Sequence, residues 1–367
     1  MGRGGLRMLW LIAALALALA GAAEATDYAP VTPGRPLVFP ADAGAHPEHR
    51  IEWWYVTGWL EDDDGNPRGF QLTFFRLRTG IGEDRPGRFS PAQLISGHAA
   101  LSDPALGRLR HAEKSARASG RLAGATAGHL QAWIGDWRLE AQDDGAIIAR
   151  AAGDGFAFDL RLAPSRAPTL NGDAGFSRKG PRPEHASYYY SVSGLAASGR
   201  LTLDGRATTV RGVAWLDHEW SSEYLPEGAV GWDWVGLNFD DGGALMAARI
   251  RQSDGSALWR FGTLRSAHGT TRELPPDAIS FEALRHWRSP ASGVNYPVSW
   301  RLDVGDFALV LEPLMDDQEL DGRASTGAIY WEGAVRALRD GQPVARGYLE
   351  LTGYGGRLRL GEGSPGR

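Results

Sequence analysis

Large apolar side chains occupy both alternating sets of positions in residues 51–60, a segment with the length and composition of one β-strand. Alternate side chains of a strand point to opposite faces, so two apolar sets face away from each other. One set is Trp53, Tyr55 and Trp59, and the other is Trp54, Val56 and Leu60. An open sheet with one wet face does not need tryptophan on both sides, whereas a barrel covered by a second layer does. The pattern therefore predicts a β-barrel that holds something apolar.

Turn signals recur about every ten residues along the rest of the chain, with apolar runs of β character between them. This spacing is typical of meandering antiparallel sheets. Two short segments, residues 111–118 and 275–288, are the nearest candidates for helices. The predicted fold class is therefore all-β with few short helices. A segment rich in proline and glycine, residues 163–184, is predicted to be a functional loop or a crossover between layers.

An approximate internal repeat predicts two barrels of related design. Residues 231–242 repeat the plan of the first strand, with paired aromatics, a glycine, an apolar strand and an acidic turn. In both copies the following strand ends in two arginines, Arg76 and Arg78 in one and Arg249 and Arg251 in the other. The chain is predicted to divide near the turn-rich residues 225–228, into domains at 26–222 and 223–367.

The first 25 residues have the pattern of a cleavable export signal. Arg3 and Arg7 precede an apolar run at residues 8–23, and Ala23-Glu24-Ala25 has the small-x-small form of a signal peptidase site. We therefore expect cleavage near Ala25 and a periplasmic or secreted protein. The chain contains no cysteine, so disulfides are excluded and stability depends on core packing.

Charge and missing motifs exclude several classes of function. The net charge of the 367 residues is −5 at pH 7, and no basic patch carries interleaved aromatics, which argues against nucleic acid as a partner. The sequence lacks a Gly-x-Ser-x-Gly elbow, so a serine hydrolase of the common α/β type is disfavoured. It also lacks a Walker loop and a dinucleotide fingerprint, and no cofactor is predicted.

His218 is the first candidate for acid–base chemistry. It lies between two carboxylates, Asp217 and Glu219, and two residues before Trp220. On a strand, His218 and Trp220 share one face while the two carboxylates point the other way. A histidine on an aromatic face can act as an acid or base near neutral pH. The alternative is a structural histidine that hydrogen-bonds a backbone carbonyl.

Two carboxylates near tryptophans are further candidates. Asp233 shares a strand face with apolar residues, where a carboxyl group stays partly protonated and can donate a proton; the alternative is an ion pair with an arginine. Glu52 is predicted to be a partly buried acid at the mouth of a cavity. His46, His49 and Glu52 superficially suggest a metal site, but no convergent third ligand is assured, and no metal is predicted.

Several long motifs resemble the secreted lipocalin-like family that includes bacterial carotenoid 1,2-hydratases (hydroxyneurosporene synthases) and AttH-type exported proteins. The motifs are Glu52-Trp53-Trp54-Tyr55 and residues 69–76, 186–191, 214–222, 330–335 and 347–354. The resemblance covers nearly all of the chain after residue 25. It implies two lipocalin-like antiparallel β-barrel domains, in accord with the strand pattern and the internal repeat.

The resemblance also implies candidate site residues. The hydratases protonate an isolated double bond of an acyclic carotenoid, and water captures the resulting carbocation. A histidine and a tryptophan two residues later are implicated there, together with a downstream acid for which Asp233 and Asp240 compete here. The candidate catalytic residues are His218, Asp217, Trp220 and Asp233. The candidate ligand-binding residues are Glu52, Trp53, Tyr55, Trp59, Tyr189, Trp232 and Trp234.

Three functions remain open at this point. The export signal is typical of the AttH-type branch, whose members accompany ABC exporters of the lipoprotein-release kind. This favours an exported protein that binds or modifies a lipid or isoprenoid-like molecule together with such an exporter. The second function is an acid-catalysed hydratase of a polyene, and the third is a structural envelope protein. A cavity lined by aromatics would exclude the third, and exposure of His218 or Asp233 to that cavity would favour catalysis.

Overall fold

The structure is a computed structural model that describes residues 27–83 and 90–358. The described residues are mostly β-strand, with two short 3₁₀ helices at Ala41–Ala43 and Pro276–Ala278. The predicted all-β fold class is therefore confirmed. The predicted export signal, residues 1–25, lies outside the described residues. Within the described ranges, no helix is long and apolar enough to cross a membrane.

The first thirteen strands form one antiparallel sheet. The strands are β1 Ile51–Asp62, β2 Pro67–Arg78, β3 Gln93–Ser102, β4 Arg110–Arg117, β5 Ala123–Ala125, β6 Gln131–Ile134, β7 Trp137–Ala141, β8 Ile147–Gly153, β9 Phe156–Ala163, β10 Thr169–Leu170, β11 Phe176–Arg178, β12 Ala186–Leu203 and β13 Arg206–Ser221. Their order is β4-β3-β2-β1-β13-β12-β9-β8-β7-β6-β5, with β10 and β11 paired to β12. Strands β4 and β5, at the two ends of this order, lie against each other, so the sheet closes into a nearly complete barrel.

The remaining ten strands form a second antiparallel sheet. They are β14 Ala229–Phe239, β15 Ala244–Gln252, β16 Ala257–Arg265, β17 Thr271–Leu274, β18 Ile279–Arg288, β19 Asn295–Val304, β20 Phe307–Pro313, β21 Glu319–Gly322, β22 Ala328–Arg339 and β23 Gln342–Leu351. Their order is β17-β16-β15-β14-β23-β22-β20-β19-β18, with β21 paired to β22. Strands β16 and β18 approach each other, and the sheet curls around its own apolar core as a second barrel.

Both segments that resembled helices are mostly strand. Residues 111–118 fall almost entirely within β4, and residues 275–288 form a short 3₁₀ turn followed by β18. In β18 the buried residues Ile279 and Phe281 are two apart, and the residue between them is exposed. This period of two marks a strand with one face on the core. Pairing with neighbouring strands therefore decides the structure of both segments.

The alternation of side chains along the strands builds three apolar layers. The inner faces of the two sheets fill the two barrels, and their outer faces pack against each other as a middle layer. As the pattern of β1 predicts, Trp54 and Tyr55 point to opposite faces: Trp54 faces the interior of the first barrel and Tyr55 faces the middle layer. Burying one large apolar side chain contributes about 1.5–3 kcal/mol. The aromatic middle layer therefore holds the two barrels together.

Candidate functional site

A cavity of about 50 Å³ lies in the middle layer, between the two barrels. Its wall is mostly aromatic, and four carboxyl groups also face it: Asp217, Glu219, Glu332 and Glu350. Three of its aromatic residues are half-buried, so the wall reaches the protein surface: Trp53, Phe75 and Trp232. A space of this volume holds a few water molecules or the reacting part of a larger ligand. We call it the inter-barrel cavity.

Asp217 of β13 is the centre of a buried hydrogen-bond network in this wall. Its Oδ2 accepts a hydrogen bond from Tyr189 Oη at 2.6 Å. Its Oδ1 accepts one from Ser191 Oγ at 2.5 Å and one from Trp215 Nε1 at 2.7 Å. Burial raises the pKa of Asp217 to about 7. The three hydrogen bonds act in the opposite direction, because they favour the carboxylate. Asp217 can therefore change its charge near neutral pH.

Glu219, two residues further along β13, is paired with a buried lysine. Lys179 Nζ lies 2.7 Å from Glu219 Oε1, donates to Ser177 Oγ at 3.0 Å, and lies 3.9 Å from the ring centre of Phe261. Burial lowers the pKa of Lys179 and raises that of Glu219, while the charge of each partner favours the charge of the other. Lys179 was not among the predicted site residues. Its only signal was its place in the proline- and glycine-rich segment 163–184.

Glu332 of β22 and Glu350 of β23 face the cavity from the second barrel. They lie directly opposite each other in the register of the two strands. Trp232 Nε1 donates to Glu350 Oε2 at 3.1 Å, whereas Glu332 Oε1 has no hydrogen-bond partner within the described ranges. Burial raises the pKa of Glu350 to about 7, and burial together with the charge of Glu350 raises that of Glu332 well above its usual range. Both residues belong to motifs that carried the family resemblance, but sequence reasoning gave them no role.

A different polar network fills the interior of the first barrel around Glu52. Arg76 Nε donates to Glu52 Oε2 at 2.6 Å, and His218 Nε2 and His46 Nδ1 lie 2.9 and 2.8 Å from Glu52 Oε1. Burial alone would raise the pKa of Glu52, but the charge of Arg76 and the hydrogen bonds lower it well below its usual range. The ring of Trp220 stacks on His46 at 3.8 Å. Glu52 is therefore a fixed carboxylate inside the barrel.

The same residues bring together three possible metal ligands. The ligand atoms of His46, Glu52 and His218 all lie within 4.8 Å of one another, a convergence that the sequence did not reveal. Arg76 already neutralises the carboxylate, and burial lowers the pKa of His218 to about 4, so its neutral imidazole can donate to Glu52. The network is therefore satisfied by its own residues, and a cation would compete with Arg76 for Glu52.

Asp233 lies inside the second barrel, on the face of β14 opposite to Trp232 and Trp234. It accepts hydrogen bonds from Arg249 Nε at 2.6 Å and Arg251 Nε at 3.1 Å. Asp233 and Arg249 are cross-strand partners, as Glu52 and Arg76 are in the first barrel. The internal repeat in the sequence thus corresponds to a repeated buried ion pair.

The structure brings together only part of the predicted site. The predicted residues that line the inter-barrel cavity are Asp217, Trp53, Tyr55, Tyr189, Trp232 and Trp234. Trp59 is buried in the middle layer outside the cavity wall. His218, Trp220 and Glu52 lie inside the first barrel, and Asp233 lies inside the second. Strand alternation is the reason, because neighbours of a cavity-facing residue point into the barrel behind it.

The sequence profile of the AttH-like family matches residues 30–354. A crystal structure assigned to AttH from Nitrosomonas europaea is 50% identical to this chain. It superposes with a TM-score of 0.83 and covers 89% of this chain and 99% of its own. The resemblance to AttH-type proteins is therefore confirmed.

More distant relatives include hydratases. Kievitone hydratase from Fusarium solani subsp. phaseoli is 25% identical over 195 residues, which are 51% of this chain and 53% of that protein. The match thus spans about half the length of this relative. The crystal structure of kievitone hydratase from Nectria haematococca (16% identity, TM-score 0.64) covers 89% of this chain and 98% of its own. The crystal structure of CghA with Sch210972 (15% identity, TM-score 0.53) covers 90% of this chain and 98% of its own. At these identities the two structures establish the shared fold alone.

Proposed function

Because this chain belongs to the AttH-like family, we propose that it binds the reacting part of a hydrophobic molecule in the inter-barrel cavity and adds water to a carbon–carbon double bond there. The observation that carries the proposal is an aromatic cavity with buried carboxyl groups whose pKa values lie near 7. Kievitone hydratase is similar to this chain over about half of its own length, and its name supports a reaction of the hydratase type.

The reaction starts with transfer of a proton to one carbon of the double bond. A neutral carboxyl group in apolar surroundings can supply this proton, and its own O–H bond breaks as the C–H bond forms. The other carbon becomes a cation, which water attacks to form the C–O bond. A carboxylate of the cavity then takes the proton that the attacking water releases. One water molecule is consumed, and the cavity keeps its number of protons.

The aromatic wall suits the cationic intermediate. Tyr224 contacts Trp53 and Trp232 edge-to-face, with ring centres 5.1 and 5.7 Å apart, so the three rings support one another's orientation. The negative face of an aromatic ring attracts a cation by about 2 kcal/mol or more when the site is dry. Rings that are held in place before the cation forms need no reorganisation when it appears. The same wall attracts an apolar ligand by the hydrophobic effect.

The test is turnover in water labelled with oxygen-18. The purified protein is incubated with kievitone and a panel of acyclic isoprenoid alkenes, and products are analysed by mass spectrometry. We expect one product with the label in a new hydroxyl group and a loss of about 100-fold or more in Asp217→Asn. Asp159→Asn, at an exposed position on β9, is the matched control and should keep full activity. If compounds bind but none is hydrated by the wild type, the hydratase proposal is wrong.

That last result would support the second candidate function, which is carriage of a hydrophobic ligand without chemistry. The observation in its favour is that the aromatic wall can bind such a ligand whatever the charge of the carboxyl groups. A carrier would release the ligand unchanged, and Asp217→Asn would leave the affinity nearly unaltered. Mass spectrometry of the ligand before and after binding separates the two functions.

Export is part of the same proposal, since the first 25 residues have the pattern of a signal peptide. We expect protein recovered from the periplasm of its own cells to begin just after Ala25. An N-terminus that still carries Arg3 and Arg7 would contradict cleavage.

A further inference from the structure

The carboxyl groups of the inter-barrel cavity belong to two opposite walls. The first wall carries Asp217 and Glu219, both from β13 of the first barrel. The second wall carries Glu332 and Glu350, from β22 and β23 of the second barrel. The two sheets pack with these faces toward each other, so a flat double bond between them presents one face to each wall.

The first wall surrounds its carboxyl groups with donors. Asp217 accepts three hydrogen bonds, from a tyrosine, a serine and a tryptophan. Glu219 is paired with Lys179 at 2.7 Å and accepts a further hydrogen bond from Ser187. Hydrogen bonds and a cation both favour the ionised form of a carboxyl group. These donors and Lys179 offset part of the burial that raises the pKa of Asp217 and Glu219, so the first wall stabilises a carboxylate better than a wall without a cation does.

The second wall has the opposite character. Residues that lie directly opposite on antiparallel strands have Cβ atoms about 4.5–5.5 Å apart, which places Glu332 close to Glu350. Each glutamate has one donor, Trp232 for Glu350 and Tyr55 for Glu332, and no ion pair among the described residues includes either glutamate. Two buried carboxyl groups this close cannot both ionise at low cost, so they retain a proton between them. Both glutamates line the cavity.

We propose that the two walls divide the chemistry: the Glu332–Glu350 pair donates the proton to the double bond, and Asp217 with Glu219 accepts the proton of the attacking water. This inference rests on the hydration proposed above. The C–H bond forms at the face toward the second wall, and the C–O bond forms at the face toward the first. Hydrogen and hydroxyl therefore add to opposite faces of the double bond.

Each turnover leaves the second wall one proton poorer and the first wall one proton richer. The resting state is restored when this proton returns through water in the cavity, with no further reactant. Lys179 is a positioning residue in this scheme. It contacts Glu219 and keeps it charged, and it is not among the residues that line the cavity.

The stereochemical test uses a trisubstituted alkene with two different groups on its more substituted carbon, chosen from the compounds that the wild-type protein hydrates. The reaction is run in deuterium oxide, and the product diastereomer is identified by NMR. Deuterium and hydroxyl on opposite faces is the expected result. Addition of both to the same face would overturn the inference while leaving the hydratase function standing. Failure to hydrate any compound would instead refute the proposed function.

A second test needs no turnover. Infrared difference spectra between each variant and the wild type are recorded at pH 8. They separate the C=O stretch of a neutral carboxyl group from the bands of a carboxylate. We expect the neutral band to disappear in Glu332→Gln and to persist in Asp217→Asn, with melting curves to show that both variants fold. Glu350→Gln, which also breaks the pair, serves as the second variant and should shift or remove the same band. Loss of the neutral band in Asp217→Asn alone would overturn the inference.

Discussion

Buried carboxyl groups occur in two settings in this protein, and they differ in the residue that lies opposite on the next strand. Inside the barrels, Glu52 and Asp233 lie opposite Arg76 and Arg249. In the inter-barrel cavity, Glu332 lies opposite Glu350. All these carboxyl groups are well buried, yet the pKa of Glu52 is lowered far below its usual range and that of Glu350 is raised to about 7. Burial acts to raise the pKa of both groups, and the difference is the arginine: Arg76 offsets burial for Glu52, whereas no ion pair among the described residues includes Glu350.

Removal of the arginine opposite a buried acid inside a barrel should have the largest effect on stability. Arg76→Met should destabilise the protein by about 3–5 kcal/mol at pH 7, because it leaves the carboxylate of Glu52 buried and unpaired. It also removes the hydrogen bonds that Arg76 donates to two backbone carbonyls, those of His46 and His49. The measurement is urea unfolding followed by circular dichroism.

The matched control for Arg76 is an arginine whose ion pair is half-exposed. Arg150 lies 2.5 Å from Asp159, and both side chains are about half accessible to water. Arg150→Met should change the free energy of unfolding by less than about 1 kcal/mol. Equal losses of unfolding free energy in the two variants would show that burial does not increase the contribution of the ion pair to stability.

A second change converts a paired carboxyl group of the cavity into an unpaired one. Lys179→Met should destabilise the protein by roughly 2–3 kcal/mol at pH 8, where Glu219 must stay charged without its cation. The pKa of Glu219 then rises further above its unfolded value, so the loss should grow as pH rises and shrink toward pH 5. Unfolding curves at both pH values check this. Lys179→Met combined with Glu219→Gln should recover most of the stability, and a double variant as unstable as the single one would argue against the pair.

A third change concerns Glu350, which lies opposite Glu332 and has no cation paired with it among the described residues. Because the folded pKa of Glu350 lies above its unfolded value, its contribution to stability is present below about pH 4.5 and is lost as pH rises through about 7. Glu350→Gln lacks this loss, since glutamine does not ionise. The variant should match the wild type at pH 4.5 and exceed it by roughly 3 kcal/mol at pH 9, because the folded pKa lies near 7. Parallel stability curves over that range would contradict the raised pKa.

The sequence was sufficient for the fold and for the aromatic side of the site. Alternation in β1 predicted which residues share a face, because a strand has a period of two whatever its neighbours are. It did not predict which of the two faces lies inside the barrel. The repeat of a strand followed by two arginines predicted related barrels, and the structure shows why the arginines recur. Each of Arg76 and Arg249 neutralises the buried acid across from it.

The carboxyl groups of the cavity were harder to predict, because their role depends on pairing between strands. Glu332 and Glu350 lie on β22 and β23, two strands joined by a short turn at residues 340–341. Between Ala337 and Leu338 the register shifts by one residue, and only after this irregularity does Glu332 face Glu350. Counting back from the turn alone would pair Glu332 with Leu349. Lys179 was missed because it follows the short strand β11 and its partner Glu219 is 40 residues away on β13.

Carboxyl groups of the inter-barrel cavity exchange protons near neutral pH, whereas Glu52 inside the first barrel does not. A pH titration of side-chain carboxyl carbons by NMR, with glutamate and aspartate labelled with carbon-13, tests this most directly. Signals assigned by Glu350→Gln and Asp217→Asn should titrate with midpoints near 7, and the signal assigned by Glu52→Gln should show no midpoint above pH 4. If all three carboxyl groups titrate below pH 5, or if Glu52 titrates near neutrality, the account is wrong.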